Sequence, residues 1–316
     1  MFIDSYNRKV DYLRISVTKQ CNFRCQYCMP DTPDDFADDE QIPFEQLLVF
    51  VQVAIDGGVR KIRITGGEPL LRKDLCDFIA DIVRYAPHID LALTTNGFYL
   101  QNYAQRLRDS GLARVNVSLD SLHEERVEMM SKKRVLGRVL DGIDSAIGAG
   151  LRVKLNMVPI VGVNADELCD MLDFARQKGV MLRYIEFMEN THARALRGLS
   201  EREILEALRS RFAFTFVEQS GPARIYTLPC GTLFGIIAPH NDDFCVSCNR
   251  VRLSAEGLIV PCLYHEDAVN VREILRTGDK ESIRKAIEQA LRQKPEKNRW
   301  GCEGANSTRA FYKTGG

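Results

Sequence analysis

The sequence predicts an α/β protein built as a partial, open barrel of six β/α units, TIM-like in its alternation, with a C-terminal extension. Three observations carry that prediction. Strand-like and amphipathic helical stretches alternate from residue 12 to about residue 188. Glycines stand where several helical stretches stop, and five of the six strands are polar on one face only. Strands separated by helices of this length form βαβ units and a parallel sheet.

In chain order the strands read Tyr12–Thr18, Lys61–Thr65, Asp90–Asn96, Arg114–Asp120, Val153–Pro159 and Leu182–Phe187. The helical stretches are Phe44–Ile55, Leu75–Tyr85, Tyr103–Ser110, Val135–Ala149 and Asp166–Lys178, with Gly57, Gly111, Gly150 and Gly179 as stop signals. Strands covered on both faces usually read as continuous apolar runs. Here Leu13, Ile15 and Val17 share one face of the first strand, and Arg14, Ser16 and Thr18 the other. Arg63 and Thr65, then Thr94 and Asn96, then Asn116, Ser118 and Asp120, then Lys154 and Asn156 repeat the pattern. Only the sixth strand is mixed, with Arg183 on one face and Glu186 on the other. Helices must cover the apolar faces, so the polar faces turn towards a common interior. A closed eight-stranded barrel fills its interior with side chains; six units with a polar interior suit a large polar ligand. Converging cations are costly to bury without an anion, so that ligand is expected to carry phosphate or carboxylate.

Beyond Glu189 the pattern changes. A loop over Asn190–Leu199 precedes a helix from Glu201 to about Phe212, then β-type runs at Phe214–Val217, Ala223–Leu228 and Leu233–Ala238. Helices follow near Val271–Arg276 and Glu281–Gln293. The chain therefore divides into a barrel, residues 1–190, and a C-terminal region, residues 191–316.

The 316 residues are 45% hydrophobic and 27% charged, ordinary for a globular protein. Lys+Arg and Asp+Glu balance at 43 each, without the basic excess of a general nucleic-acid binder. The N-terminus has no apolar leader and no apolar run approaches membrane-spanning length, so neither export nor a membrane partner is expected. Six of the ten cysteines fall into two groups, and a chain this long needs no disulfide staples. A reducing, cytoplasmic setting is expected, which makes the Asn306 glycosylation sequon irrelevant. Cys76 and Cys169 read as small core residues on helices, and Asp31–Glu40 as a solvated acidic loop.

The first cysteine group is Cys21, Cys25 and Cys28, in the run Cys21-Asn22-Phe23-Arg24-Cys25-Gln26-Tyr27-Cys28 after the first strand. A [4Fe–4S] cubane normally takes four thiolates, so three leave one iron open to a substrate or cofactor. The alternatives are a zinc site lacking its fourth ligand, which usually uses separated ligand pairs, and buried structural thiols, which have no reason to cluster. Thr65-Gly66-Gly67-Glu68-Pro69 closes the second strand, where two glycines let a ligand approach the backbone, unless they form only an ordinary turn. The second group is Cys245 and Cys248, in Cys245-Val246-Ser247-Cys248-Asn249-Arg250-Val251-Arg252-Leu253, with Cys262 beyond. It makes another tripod with one position open. Zinc completed by His240 or His265 is the alternative. Arg250 and Arg252 beside the thiols favour an anionic ligand; a surface strand rich in arginine is the bland reading.

The cysteine spacing, with Tyr27 before the last thiol, resembles the signature of the radical S-adenosylmethionine (SAM) enzymes. The Gly66-Gly67-Glu68 run is similar to the motif with which they hold the amino group of SAM. Taken with Tyr12–Val17, Met29-Pro30, Thr94–Gly97, Ser118–Ser121, Cys245–Leu253 and the terminal Gly315-Gly316, the chain resembles from end to end the GTP 3′,8-cyclase (MoaA) family of molybdenum-cofactor biosynthesis.

The resemblance implies two [4Fe–4S] clusters, one on Cys21, Cys25 and Cys28 with SAM, one on Cys245, Cys248 and Cys262 facing the guanine. Tyr27, Gly67, Ser118 and Met188 would contact SAM. Arg14, Arg63, Thr94, Lys154, Arg250, Val251 and Arg252 would contact GTP, with Arg183 a weaker candidate. Arg250, Arg252, Gly315 and Gly316 would be catalytic, the glycine tail threading a space that any Cβ would block. The implied reaction cleaves SAM with one electron, removes hydrogen from C3′ of GTP and joins C3′ to C8 of guanine. Its product is 3′,8-cyclo-7,8-dihydroguanosine 5′-triphosphate. An electron donor, a downstream cyclic pyranopterin monophosphate synthase and a homodimer are the partners it suggests. Asp31–Glu40 is more acidic than the family pattern, and Thr314 stands where the family often has an apolar residue. A peptide-modifying maturase would need further cysteines and a peptide-recognition domain, and the sequence has neither. A zinc-stapled or redox-sensing module would have no use for the strand cations.

Overall fold

The computed structural model describes residues 1–29, 41–190, 193, 195–241, 243–298 and 309–314. The expected acidic loop and the Gly315-Gly316 tail lie outside the described residues. Six parallel strands, β1 (Tyr12–Ser16), β2 (Lys61–Thr65), β3 (Asp90–Thr95), β4 (Arg114–Ser118), β5 (Arg152–Met157) and β6 (Met181–Ile185), lie side by side in chain order. Between them run α1 (Phe44–Asp56), α2 (Leu75–Tyr85), α3 (Leu100–Asp109), α4 (Glu124–Ser131), α5 (Leu136–Gly148) and α6 (Leu168–Gln177).

The alternation read from the sequence is the alternation of the sheet. Leu13, Ile15, Ile62, Ile64, Leu91, Leu93, Val115, Val117, Leu155 and Leu182 are buried in the core between strands and helices. Burying each such side chain stabilises the fold by about 1.5–3 kcal/mol. Arg14 is in register with Arg63, Thr94 with Asn116, and Asn156 with Arg183 on the opposite face.

The C-terminal region extends the same sheet at both edges. Strand β9 (Leu233–Ile237) pairs in parallel with β6, followed by antiparallel β8 (Ala223–Thr227) and β7 (Thr215–Ser220). At the other edge β10 (Arg250–Leu253) pairs in parallel with β1, followed by antiparallel β11 (Leu258–Val260) and β12 (Val269–Asn270). The order β12-β11-β10-β1-β2-β3-β4-β5-β6-β9-β8-β7 leaves the sheet open. Four short helices or turns of helix and one longer one complete the chain: α7 (Glu201–Arg209), α8 (Asp243–Val246), α9 (Arg272–Thr277), α10 (Lys280–Arg292) and α11 (Phe311–Thr314). Helix α7 begins with a reciprocal Ser200–Glu203 capping box, and Asp279 caps α10.

Two departures from the sequence reading have physical causes. Helix α4 was not expected, because only Val127, Met130 and Ser131 of it are buried and its charged residues leave no clear apolar stripe. After α1 the left-handed residue is Gly58, with φ of +106°, rather than Gly57. Gly57 is bare for another reason, since a Cβ there would stand 2.1 Å from the Phe2 ring.

Helices α3 and α5 cross closely at Gly142, where a Cβ would meet the Gly97 carbonyl oxygen at 2.6 Å. Gly142→Ala should gain about 1 kcal/mol of helix propensity and lose about 1–3 kcal/mol to overpacking. A lowered melting temperature in calorimetry is expected; an unchanged or raised one would mean that the two helices separate freely.

Candidate active site

The strand interiors enclose one cavity of about 370 Å³, within the range of about 300–1,000 Å³ typical of small-molecule sites. Arg14, Lys61, Arg63, Arg114, Lys154, Arg183 and Arg250 line it, and among the described residues Asp90, Asp120 and Glu186 are its acidic ones. Burial and the Arg252 charge pull the Arg14 guanidinium down to about 9. Arg183 is likewise held at about 9 by burial and Arg63, and Lys154 at about 8 by burial and Arg183. Burial alone would push the Tyr12 phenol up, but the charges of Arg63, Arg14, Arg183 and Arg250 together hold it below its ordinary value. Cations buried and crowded in this way repel one another, and a bound anion would relieve that repulsion.

Neutral groups hold the basic side chains in place. Arg183 donates from Nη2 to Asn116 Oδ1 at 2.8 Å and to Asn156 Oδ1 at 2.7 Å. Gly235, its partner on β9, makes room, since a Cβ there would meet Arg183 Cγ at 3.3 Å. Arg114 pairs with Asp90 at 2.9 Å. Arg63 Nε and Thr94 Oγ1 are buried with no hydrogen-bond partner among the described residues, polar atoms of side chains that line the cavity.

The same cavity is lined by Cys21, Cys25 and Cys28 with Tyr27, Gly66, Gly67, Ser118 and Met188. The cysteine loop is latched from several sides. Arg24 N donates to Ser131 O at 2.9 Å and Gln26 N to Met130 O at 3.1 Å, both on the unexpected α4. Asn96 Nδ2 donates to Asn22 Oδ1 at 2.8 Å, Asn190 Nδ2 to Tyr27 O at 2.9 Å, and Tyr27 Oη to Asp120 Oδ2 at 2.6 Å. Gly67 N donates to Thr18 O at 2.7 Å, and a Cβ on Gly67 would stand 2.2 Å from Gln20 O. Buried Glu68 accepts from Thr95 Oγ1 at 2.8 Å and Asn96 N at 2.7 Å, tying this loop to the end of β3.

Burial and neighbouring Glu68 push the Cys21 thiol up to about 11. Burial with Cys21 and Asp120 pushes Cys28 to about 12, and burial with Cys28 and Cys21 raises Cys25 well above its usual value. Three thiols that repel one another's negative charge suit a cationic iron–sulfur group, which makes thiolates favourable. Among the described residues no His, Cys, Asp or Glu side chains are grouped to hold a single metal ion. A cubane takes its thiolates at separate corners, farther apart than the ligands of one ion.

Cys245, Cys248 and Cys262 are not among the described lining residues, whereas Asn249 and Arg250, which follow Cys248 in the chain, are. Burial opposes ionisation of Cys248, but Arg250 and Lys294 outweigh it and hold the thiol at about 6. His240 Nδ1 lies 3.0 Å from Glu186 Oε2. Arg252, in register with Arg14, is buried beside the second cysteine group and outside the cavity lining. Val251, between the two arginines, points the other way into the core with Leu13.

Several lining residues escaped the sequence reading. Tyr12, Lys61 and Arg114 each sit two positions before a residue already assigned to the inner face, so extending the alternation by one step would have found them. Ser220, Gly221 and Pro222, the turn joining β7 to β8, and Phe311 had no such signal. Tail residues Ala310 and Tyr312 pack with Met29 against Cys21 and Cys28, and Tyr312 and Thr314 are buried.

Residues 15–175 match the Radical SAM superfamily, and residues 180–300 match Molybdenum Cofactor Synthesis C. Over the full length of both chains, this chain is 52% identical to the GTP 3′,8-cyclase of Helicobacter pylori (strain J99) and 53% identical to that of Campylobacter curvus. The Sulfurimonas denitrificans GTP 3′,8-cyclase is 51% identical over the same extent. The fold is similar to that of Streptococcus suis SuiB bound to precursor peptide SuiA, with TM-score 0.66 and 16% identity over 92% of this chain and 72% of that one. Native anSMEcpe with bound AdoMet gives TM-score 0.60 and 13% identity over 86% and 81% of the two chains. Membership of the radical SAM superfamily implies a [4Fe–4S] cluster and SAM. By its full-length relatives and both matched regions, this chain belongs to the GTP 3′,8-cyclase family of radical SAM enzymes.

Proposed function

We propose that this chain is a GTP 3′,8-cyclase, converting GTP to 3′,8-cyclo-7,8-dihydroguanosine 5′-triphosphate for molybdenum-cofactor biosynthesis, with SAM as co-substrate. The observation that carries this reading is a cavity lined both by Cys21, Cys25 and Cys28 and by the buried cations of the strands. The cluster and SAM, when bound, supply a radical able to take the hydrogen from C3′ of the ribose. The residues of the chain bind, orient and exclude. Arg14, Arg63, Lys154 and Arg183 hold the triphosphate, where guanidinium forks match phosphate oxygens. Thr94 gives the same ligand a neutral donor. Tyr27, Gly67, Ser118 and Met188 hold SAM against the first cysteine group. Ser220–Pro222 and Phe311 complete the lining and help to keep C3′ near the radical and away from water in this reading.

The second cysteine group holds a second [4Fe–4S] cluster in this reading, with Arg250 and Arg252 between it and the nucleotide. An electron donor delivers the reducing equivalents, and a cyclic pyranopterin monophosphate synthase takes the product. No described helix is long and apolar enough to cross a membrane.

The test is an anaerobic assay of reconstituted protein with SAM, a strong reductant and GTP deuterated at C3′, read by mass spectrometry. Deuterium in the 5′-deoxyadenosine is expected. Unlabelled deoxyadenosine would overturn abstraction at C3′, and no deoxyadenosine from fully loaded protein would overturn the enzyme reading. Deleting Gly315 and Gly316 should abolish cyclisation and leave bound iron unchanged, because the tail before them is already seated against Cys21 and Cys28. Undiminished turnover would show that the tail is dispensable.

Lys154 gives a pH signature. Its value of about 8 in the free cavity rises when a polyanion binds, so binding takes up a proton above that pH. Affinity for GTP is therefore full below about pH 8 and falls by up to about tenfold per pH unit above it. Titration of binding between pH 8 and 9 should show this slope, and Lys154→Met should bind more weakly with the slope reduced. An equal slope in the variant would assign the proton elsewhere.

A further inference from the structure

Lys294 follows α10, belongs to no motif read from the sequence, and is only 3% exposed. A lysine buried this deeply needs its ammonium fully engaged. Its Nζ donates to Arg250 O at 2.7 Å and to Pro261 O at 2.9 Å, and reaches Cys248 Sγ at 3.4 Å. Three donors thus meet three acceptors. Two of these lie on the Cys248 arm of the second cysteine group and one, Pro261 O, next to Cys262.

The residues after Lys294 reach the remaining arm. Arg8 donates from Nη2 to Pro295 O at 2.6 Å, and from Nη1 to Glu296 O at 2.7 Å and to Cys245 O at 2.9 Å. Asp4 fixes the guanidinium by accepting from its Nε at 2.5 Å. The short segment 294–296 is therefore tied, directly or through Arg8, to the Cys245–Cys248 run and to the residue before Cys262.

We infer that Lys294 is a positioning residue for the second iron–sulfur cluster. It fixes the separation of the Cys248 and Cys262 segments and donates an N–H to the Cys248 sulfur. The inference rests on the reading that this cysteine group holds a cluster. A donor to a ligand sulfur favours the reduced, more negative cluster, so Lys294 sets the second cluster's potential higher than the thiolates alone would. A lysine that merely capped two carbonyls would leave the potential untouched.

Two measurements test it, both on the full-length protein reconstituted anaerobically. In Lys294→Met, bound iron should fall towards half, and the second-cluster signal that remains should titrate at lower potential by electron paramagnetic resonance. The first cluster's signal, unchanged, serves as the check on folding. In wild-type protein labelled with ¹⁵N-lysine, pulsed resonance should detect nitrogen coupling to the reduced second cluster. Unchanged iron and potential in Lys294→Met would overturn the inference. So would the absence of nitrogen coupling in a wild-type chain with both clusters, a measurement that decides even if the variant does not fold. Iron for one cluster only in wild type would overturn the second-cluster reading itself, and this inference with it.

Discussion

The constraint on which the structure depends is the charge gathered inside the sheet. Arg14, Arg63, Lys154 and Arg183 face one interior, where the acidic residues among the described lining are Asp90, Asp120 and Glu186. Removing a cation from water costs several kcal/mol even after relaxation. The chain bears that cost by burying a continuous apolar layer on the other face of the same strands, where Leu13, Ile62, Leu93, Val117 and Leu155 are fully or almost fully buried. The two faces of each strand thus divide the labour: one supplies the stability and the other gathers the polar and basic side chains that line the cavity. Asn116 and Asn156 accept from Arg183 without neutralising it, so the guanidinium is oriented and remains charged.

A second constraint acts on the first cysteine loop, which has no regular structure of its own. Its geometry comes from what surrounds it. Helix α4 receives its backbone N–H groups, Asn96 and Asn190 grip it from the ends of β3 and β6, and Asp120 holds the Tyr27 hydroxyl. The glycine run after β2 lies so close that a single Cβ would strike the backbone at Gln20. A loop held this way loses little further entropy on binding, which is how a flexible segment serves as a precise site.

The open sheet raises a third problem, its unpaired edges. The C-terminal region adds strands outside β1 and β6, so that the edges of the sheet fall on β12 and β7. Strand β10 brings Arg250 and Arg252 into register with Tyr12 and Arg14. Strand β9 brings Gly235 opposite Arg183. The region that adds these strands therefore also brings Arg250 to the cavity lining and carries the second cysteine group.

The sequence by itself determined the six-unit alternation, the polar inner faces, both cysteine groups and the glycine run. Each of these is a local pattern, with period 2 along a strand or with fixed spacing along a loop, and local patterns survive without knowledge of the fold. Gly57 shows the limit: the pattern found the stop after α1 but not that Phe2 needs the space. Only the tertiary structure decided that four residues at Arg250–Leu253 pair with β1, that α4 props the cysteine loop, and that Lys294 reaches Cys248. Such contacts join residues far apart in the chain. Their energy comes from pairing, burial and hydrogen bonding that exist only once distant segments have met, so no local pattern encodes them.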